Sequence, residues 1–280
     1  MAIKQYKPTT PGRRGMTSQD MAKITSKKPM KSLISVKRKT SGRNNQGRIT
    51  SRRRGGGTRV FYRHINFALP AGTNAVIEAI EYDPNRSARI ARIKDDKGAH
   101  HYVLAANNMK PGMKLQSGGS DQVEIEHGNR LPLSDIPAGS IIHGIEIQPG
   151  RGAQIVRAAG ARAQLVAKEG DHVQIKLPSG EVRLVHNSCT ASIGAIGNEQ
   201  HKNIKLGTAG RKRKMGRRPS VRGVAMNAAD HPHGGGDGGA HGVGRHPVTP
   251  WGQKTLGYRT RRRKATSKVI IRSRHETKRR

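Results

Sequence analysis

The sequence predicts an all-β core of two small barrels between two long basic extensions. Three observations carry that expectation: the charge is segregated to the chain ends, the middle reads as short strands, and the middle has no helical stripe. Residues 1–60 hold 17 Lys/Arg against one acid, Asp20, a net of +16. Residues 201–280 hold 22 against Asp230, Asp237 and Glu276, a net of +19. Residues 61–200 hold 15 basic and 14 acidic residues, so nearly all of the formal +36 lies in the flanks. In that neutral middle, apolar and β-branched residues come in short runs separated by turn residues, and no apolar stripe at helical spacing exceeds about two turns.

The N-terminal extension, residues 1–59, contains the Lys-rich stretches Lys27–Lys31 and Lys37–Lys39 and ends in Arg52-Arg53-Arg54-Gly55-Gly56-Gly57. Its Lys, Arg, Gly, Ser, Thr and Asn bury too little surface to offset the entropy of ordering, so alone it should stay disordered. The three glycines allow the backbone to turn or to approach another chain closely. Residues 60–128 read as the first barrel, of OB type. Its expected strands are Val60–Phe67, Asn74–Tyr82, Arg89–Lys94, His101–Ala105 and Gln122–Glu126, with turns at Asp83-Pro84-Asn85 and Asp95–Gly98. Residues 129–200 read as the second barrel. Val173, Ile175 and Leu177 alternate with polar residues, Pro178-Ser179-Gly180 intervenes, and Val182 and Leu184 resume the alternation, which predicts a hairpin with a three-residue loop. Ile141–Ile147, Gln154–Arg157, Ala163–Ala167 and Thr190–Ile196 supply its other strands. Glu199–Leu206 predicts a short helix, and Arg211-Lys212-Arg213-Lys214 opens the basic, glycine-rich extension of residues 201–280.

Composition narrows the function classes. Two cationic arms on a neutral body suit a polyanion on which the body docks and into which the arms penetrate. Aromatic residues make up only 3 %, so binding mainly by stacking bases on exposed rings is disfavoured. Cys189 is the only cysteine, which excludes an intrachain disulfide and a cysteine-based zinc knuckle and fits a reducing compartment. Residues 1–10 have no apolar signal core, no stretch reaches the roughly 18 apolar residues of a membrane helix, and neither arm has an amphipathic face. A cytoplasmic, membrane-free protein is expected. An architectural DNA binder would need a recognition element, and no recognition helix is readable.

Residues 217–252 read RRPSVRGVAMNAADHPHGGGDGGAHGVGRHPVTPWG, and seven of the eleven residues from Gly234 to Gly244 are glycine. So much glycine is costly to order and suits a backbone threading a space where a Cβ would clash. This stretch, with the opening AIKQYKPTTPGRRG, YDPNRSARIA (Tyr82–Ala91), AQLVAKEG (Ala163–Gly170), LPSGEVRLV (Leu177–Val185) and AGRKRKMGRRPSVRGVAMN before DHPHGGG, resembles the bacterial-type large-subunit ribosomal protein two family over essentially the whole chain. The resemblance implies an OB-like barrel followed by an SH3-like barrel, with both extensions embedded in large-subunit rRNA. It further implies a non-enzymatic role in subunit association, tRNA binding and organisation of the peptidyl-transferase centre. The implied partners are large-subunit rRNA, small-subunit rRNA at an intersubunit bridge, and neighbouring ribosomal proteins. No small-molecule substrate and no cofactor are expected, structural Mg²⁺ being held through the rRNA. The chain departs from the family pattern at Ala228 and Ala229, at Lys214 where a Trp is common, and in GDGGAHGVGRHP, which adds His241 and His246.

The expected rRNA-binding residues are Arg52, Arg53, Arg54, Arg86, Arg157, Arg211, Arg213, Arg217, Arg218, Arg222, His231, His233 and Trp251. Arg86 and Arg157 read equally well as solvated turn residues from the residues alone; the resemblance makes them RNA contacts between the barrels. A guanidinium bonds phosphate bidentately and stacks on a base, which Lys does not. His231 matches a family histidine important for peptidyl transfer. His231, His233, His241 and His246 with Asp230 and Asp237 could in principle form a metal site or a catalytic base, but flanking glycines give no rigid ligand frame and no orienting constellation shows beyond the Asp-His neighbourhood. Hydrogen bonding to phosphate and ribose is the expected role. Gly150-Arg151-Gly152 lacks the Lys-Ser/Thr of a nucleotide-binding loop and reads as a turn. Trp251 would either stack on a base or cap an apolar cluster, and Cys189 reads as inert core.

Overall fold

The computed structural model describes residues 3–119, 121, 123–236, 246–257, 260 and 265–276. The chain forms two compact units, one of Met1–Arg38, Arg59–Thr208 and Thr266–Arg280, the other of Lys39–Thr58 and Ala209–Ala265.

In the first unit, β1 (Ile3–Gln5) and β2 (Thr17–Gln19) form an antiparallel ribbon around the single turn α1 (Pro11–Arg14). Pro11 starts that turn where a helix has no use for its missing N–H. β3 (Ile34–Val36) then pairs with β4 (Phe61–Arg63). The first barrel follows: β5 (Thr73–Glu81), β6 (Ile90–Asp95), β7 (His100–Leu104) and β8 (Lys114–Ser117), in the antiparallel order β8-β5-β6-β7. Ala75, Ile77 and Ala79 face inward while Asn74, Val76 and Glu78 face out, and a bulge at Glu78 shifts the register so that Ile80 is buried as well. Nine small and aliphatic residues, among them Ile77, Ile93 and Leu115, make this OB-like core.

The second, SH3-like barrel comprises β9 (Arg130–Pro132), β10 (Ile141–His143), β11 (Ala163–Glu169), β12 (His172–Lys176), β13 (Val182–His186) and β14 (Thr190–Ile193), with β15 (Ile270–Arg272) added at the edge of β13. A single parallel pairing of Ser117 with Arg130 joins β8 to β9, making one 11-stranded sheet through both barrels. Fourteen buried residues, including Leu131, Ile136, Leu165 and Ile175, form its core. Each such fully buried Leu or Ile contributes about 1.5–3 kcal/mol. Cys189 lies in this core, and burial pushes its thiol up to about 11. The hairpin has the expected three-residue loop: Leu177 N–H donates to the Glu181 carbonyl at 2.9 Å across Pro178–Gly180.

Four expected elements differ. Of Val60–Phe67 only Phe61–Arg63 is a strand, and it pairs with β3 in a separate two-stranded sheet instead of joining the first barrel's order. Val123–Glu126 is not a strand; Val123 packs into the second core, and the barrel uses Lys114–Ser117, where Leu115 and Ser117 turn inward. Gln154–Arg157 makes only an isolated bridge, Ile155 to Ile145, because Val156 adopts φ 55°, which ends extended structure. Over Glu199–Leu206 only Glu199–Asn203 is helical, and it is a 3₁₀ turn.

The N-terminal segment gains its order from the barrel. Thr25 N–H donates to Ile80 O at 3.0 Å and Thr25 Oγ1 accepts from Ile80 N–H at 2.9 Å. Met30 N–H donates to Tyr102 Oη at 2.9 Å, and that hydroxyl donates to Glu81 at 2.7 Å. Tyr102 is fully buried, and burial pushes its hydroxyl up to about 12; burial also raises Glu81, opposed by the Tyr102 hydrogen bond and Arg92.

In the second unit the two extensions pair. Gly55 N–H donates to Gly216 O at 3.1 Å, Arg218 N–H to Arg53 O at 2.9 Å, and Thr58 N–H to Lys214 O at 2.9 Å, the last residue of helix α2 (Ala209–Lys214). Gly57, at φ 86°, is required here: a Cβ would stand 2.7 Å from the Gly216 nitrogen. The close approach expected of the three glycines is therefore to the chain's own C-terminal arm. Among the described residues of this unit only Gly55 and His231 are buried. Among the described residues of the whole chain, no helix is long and apolar enough to cross a membrane.

Candidate nucleic-acid interface

The turn after β5 and the segment before β11 meet at the junction of the barrels. Asp83 is buried and shapes the turn: Asn85 N–H donates to its Oδ1 at 2.7 Å, and Arg86 Nε donates to its Oδ2. Ser87 closes the junction, its Oγ accepting from Ala159 N–H at 3.1 Å and its carbonyl from the Asn198 side-chain amide at 2.7 Å. Phe67 lies between. The Arg86 guanidinium stands 5.8 Å from its ring centroid and that of Arg157 4.8 Å. Two arginines separated by 70 residues thus share one ring, a cation–π arrangement that fixes both while Arg157 stays exposed and Arg86 partly so.

The backbone holding Arg157 is itself pinned. Ala153 N–H donates to Phe67 O at 2.7 Å, and Gly152 N–H donates to Glu146 Oε1 at 2.8 Å. Glu146 is buried and also receives Arg130 Nη2 at 3.2 Å and Thr190 N–H at 3.0 Å. Burial lowers the Arg130 pKa, and the Glu146 carboxylate opposes that. Gly150-Arg151-Gly152 is a turn stapled to this buried pair. Phe67, Glu146 and Arg130 escaped the sequence reading; the one available signal was that Phe67 is one of only two phenylalanines in the chain.

In the second unit Arg52, Arg53 and Arg54 are exposed beside Arg217 and Arg218, with Arg213 and Arg222 exposed and Arg211 partly so. Trp251 is 79 % exposed and caps no apolar cluster; the Arg52 guanidinium lies 5.3 Å from its ring centroid. His231 is buried flat against Gly223, where a Cβ would fall 2.5 Å from the ring. Its Nδ1 accepts His233 N–H at 3.0 Å, and His233 Nε2 accepts Val248 N–H at 3.1 Å. Both rings are therefore oriented by backbone amides that demand an unprotonated nitrogen. Gly234 is forced by a clash with its own chain, since a Cβ would lie 2.2 Å from Asn227 O. His241 and Asp237 lie outside the described residues. Among the described residues no three His, Cys, Asp or Glu side chains gather as a metal site.

Comparison with known proteins decides the family. Residues 30–117 match the model of the ribosomal protein L2 RNA-binding N-terminal domain, and residues 126–252 that of the L2 C-terminal domain. The chain is similar to large ribosomal subunit protein uL2 of Paracoccus denitrificans (strain Pd 1222), 51 % identical over 279 residues that cover 99 % of each chain. The chain belongs to the ribosomal protein L2 family. As an L2 protein it is a structural constituent of the large ribosomal subunit, working with RNA and other ribosomal proteins and not as an enzyme. The L2 RNA-binding domain match includes Phe67 and Arg86, and the L2 C-terminal match includes Arg157, His231 and Trp251.

Proposed function

We propose that this L2 protein docks on a structured element of large-subunit rRNA through the barrel junction, with Arg86 and Arg157 as its central contacts. The observation that carries the reading is their convergence on Phe67 from separate barrels. A pair of guanidiniums held at one ring matches phosphates or an unpaired base in fixed register, whereas free side chains would not. Arg52–Arg54, Arg211, Arg213, Arg217, Arg218 and Arg222 neutralise phosphates, and His233 and Trp251 contact the RNA as uncharged groups, the exposed indole by stacking. His231 shapes the DHPHGGG loop and acts through local RNA geometry. In the cytoplasmic ribosome this placement supports subunit association, including contact with small-subunit rRNA at a bridge, tRNA binding and the peptidyl-transferase region. Any Mg²⁺ involved is held by the RNA.

Footprinting on purified large-subunit rRNA at two salt concentrations, beside an Arg86→Ala/Arg157→Ala double variant, tests the reading. A discrete protected element that the double variant loses is the expected result. Diffuse protection, equal for both proteins, would move specificity to the arms and remove the site assignment.

A further inference from the structure

On the first barrel, in a region separate in sequence from Phe67, is a cavity of about 250 Å³ lined by Lys23, Thr25, Ile80, Arg89, Ala105–Pro111, Gly197 and Asn198. It lies among the N-terminal segment, the end of β5 and the connection after β7. Its chemistry is divided. Ile80, Ala105, Ala106, Met109 and Pro111 give an apolar floor, Asn108 brings a side-chain amide while those of Asn107 and Asn198 are bonded to Glu199 and to the Ser87 carbonyl, and Lys23, Arg89 and Lys110 bring positive charge. The size is just under the roughly 300–1,000 Å³ of drug-sized ligand pockets, right for one planar ring system.

Arg89 is the decisive residue. It is 3 % exposed, and burial lowers its pKa, opposed by Asp20. Its Nη2 donates to the Asp20 backbone carbonyl, yet its Nε has no hydrogen-bond partner among the described residues. That nitrogen is closed off from the cavity, so what Arg89 offers an occupant is the positive charge of a guanidinium lining the wall, which favours an anionic group. Lys23 and Lys110 are both exposed, so they extend the same charge outward. Among the described residues no carboxylate lines the cavity. An occupant with an apolar planar body, hydrogen-bonding edges and an anionic group matches all three parts, and a nucleotide is that molecule.

We infer that this cavity receives one nucleotide extruded from the bound RNA, its base on the Met109–Ile80 floor and its phosphate facing Arg89, Lys23 and Lys110. The inference rests on the RNA-docking reading above but uses different residues. Single unstacked bases are the usual target of sequence-specific RNA recognition. The cavity supplies no aromatic ring, so recognition here is by shape, amide hydrogen bonds and charge.

The test is ultraviolet crosslinking of the full chain to purified large-subunit rRNA, with the crosslinked peptides and nucleotides read by mass spectrometry. Wild type is expected to give a crosslink of one defined nucleotide within residues 105–111, and Ala106→Leu, which fills the floor, to lower it at least tenfold while crosslinks near Phe67, Arg86 and Arg157 persist. Crosslinks near Arg86 and Arg157 with none at 105–111 would overturn the cavity assignment and leave the docking reading standing. Crosslinks at neither place would sink the docking reading itself. Should Ala106→Leu fail to fold, Lys110→Gln serves, with a severalfold loss expected and an unchanged crosslink counting against the proposal. Equilibrium dialysis with AMP is the second arm: AMP binding in the cavity without an RNA crosslink would make it a free-mononucleotide site and overturn the extruded-nucleotide assignment.

Discussion

The two units of this L2 protein are held together by opposite means. The barrels bury 23 small and aliphatic residues in two clusters and use charge sparingly, as in the Arg130–Glu146 pair. The unit built from the extensions has 20 Lys/Arg against two acids, its described residues contribute nothing to the apolar core, and Ile49, Met215, Val221, Trp251 and Leu256 are more than half exposed. Its order comes from backbone pairing between arms and from Arg52 on Trp251. A net charge of +18 in so few residues repels itself. The contrast teaches that the barrels are stable through solvent exclusion, whereas the arm unit has no apolar core to set against its own repulsion, and its expected source of stability is the counter-charge of a polyanion.

The largest effect expected is on affinity. If the arms engage 6–10 phosphates, rRNA binding should weaken by about 10³–10⁵ between 50 and 200 mM salt, and filter binding of an Arg52→Gln/Arg53→Gln/Arg54→Gln variant should show a slope shallower by roughly three ions. A salt-independent affinity would break the comparison from the arm side.

Within the barrels, Arg130→Met should cost about 3–5 kcal/mol in urea unfolding, because Glu146 is left buried and unpaired. Ile175→Ala, at a fully buried site, should cost about 2–5 kcal/mol.

Acid should strike the same core. His143 is buried and donates from Nδ1 to Gly194 O at 2.9 Å; burial pushes its pKa down from 6.5 to about 4. Between those values the unfolded chain binds the proton and the native state does not, so stability falls as pH drops from about 6.5 toward 4, by about 3 kcal/mol in total. Denaturant midpoints across that window should show the slope in wild type and lose most of it in His143→Gln.

The smallest stability effect belongs to the arms. Trp251→Ala should shift the main unfolding transition by less than about 0.5 kcal/mol, since its ring is exposed, while still weakening rRNA binding. A large loss of barrel stability would show that the units are not energetically separate.

Much of the barrel architecture was legible because it rests on local alternation: Val173 and Ile175 mark the core face of β12 and the turn at Pro178–Gly180 announces the hairpin, although in β13 the buried residue is Val185, since the register sets Val182 and Leu184 opposite Lys176 and Gln174. Lys114–Ser117 was not, since a single Leu gives no alternation to read and its pairing partners lie 40 residues away in β5. Arg86 and Arg157 were named from motifs, but Phe67 between them is a tertiary fact, as is the left-handed Val156 that ends the strand before Arg157. From sequence, Gly55–Gly57 read as freedom to turn or to approach another chain, and the glycines from Gly234 as room to thread a crowded space. Gly57 and Gly234 instead make room for the chain itself, which no composition could distinguish.

Hydrogen exchange on the full chain, free and bound to large-subunit rRNA, tests the division between the units most directly. Amides in β5, β6, β11 and β12 should be strongly protected in both states, with those of Gly55, Thr58 and Arg218 becoming protected only in the complex. Equal, strong protection of those three amides in the free protein would contradict that division, for it would mean that the arms hold together without the RNA.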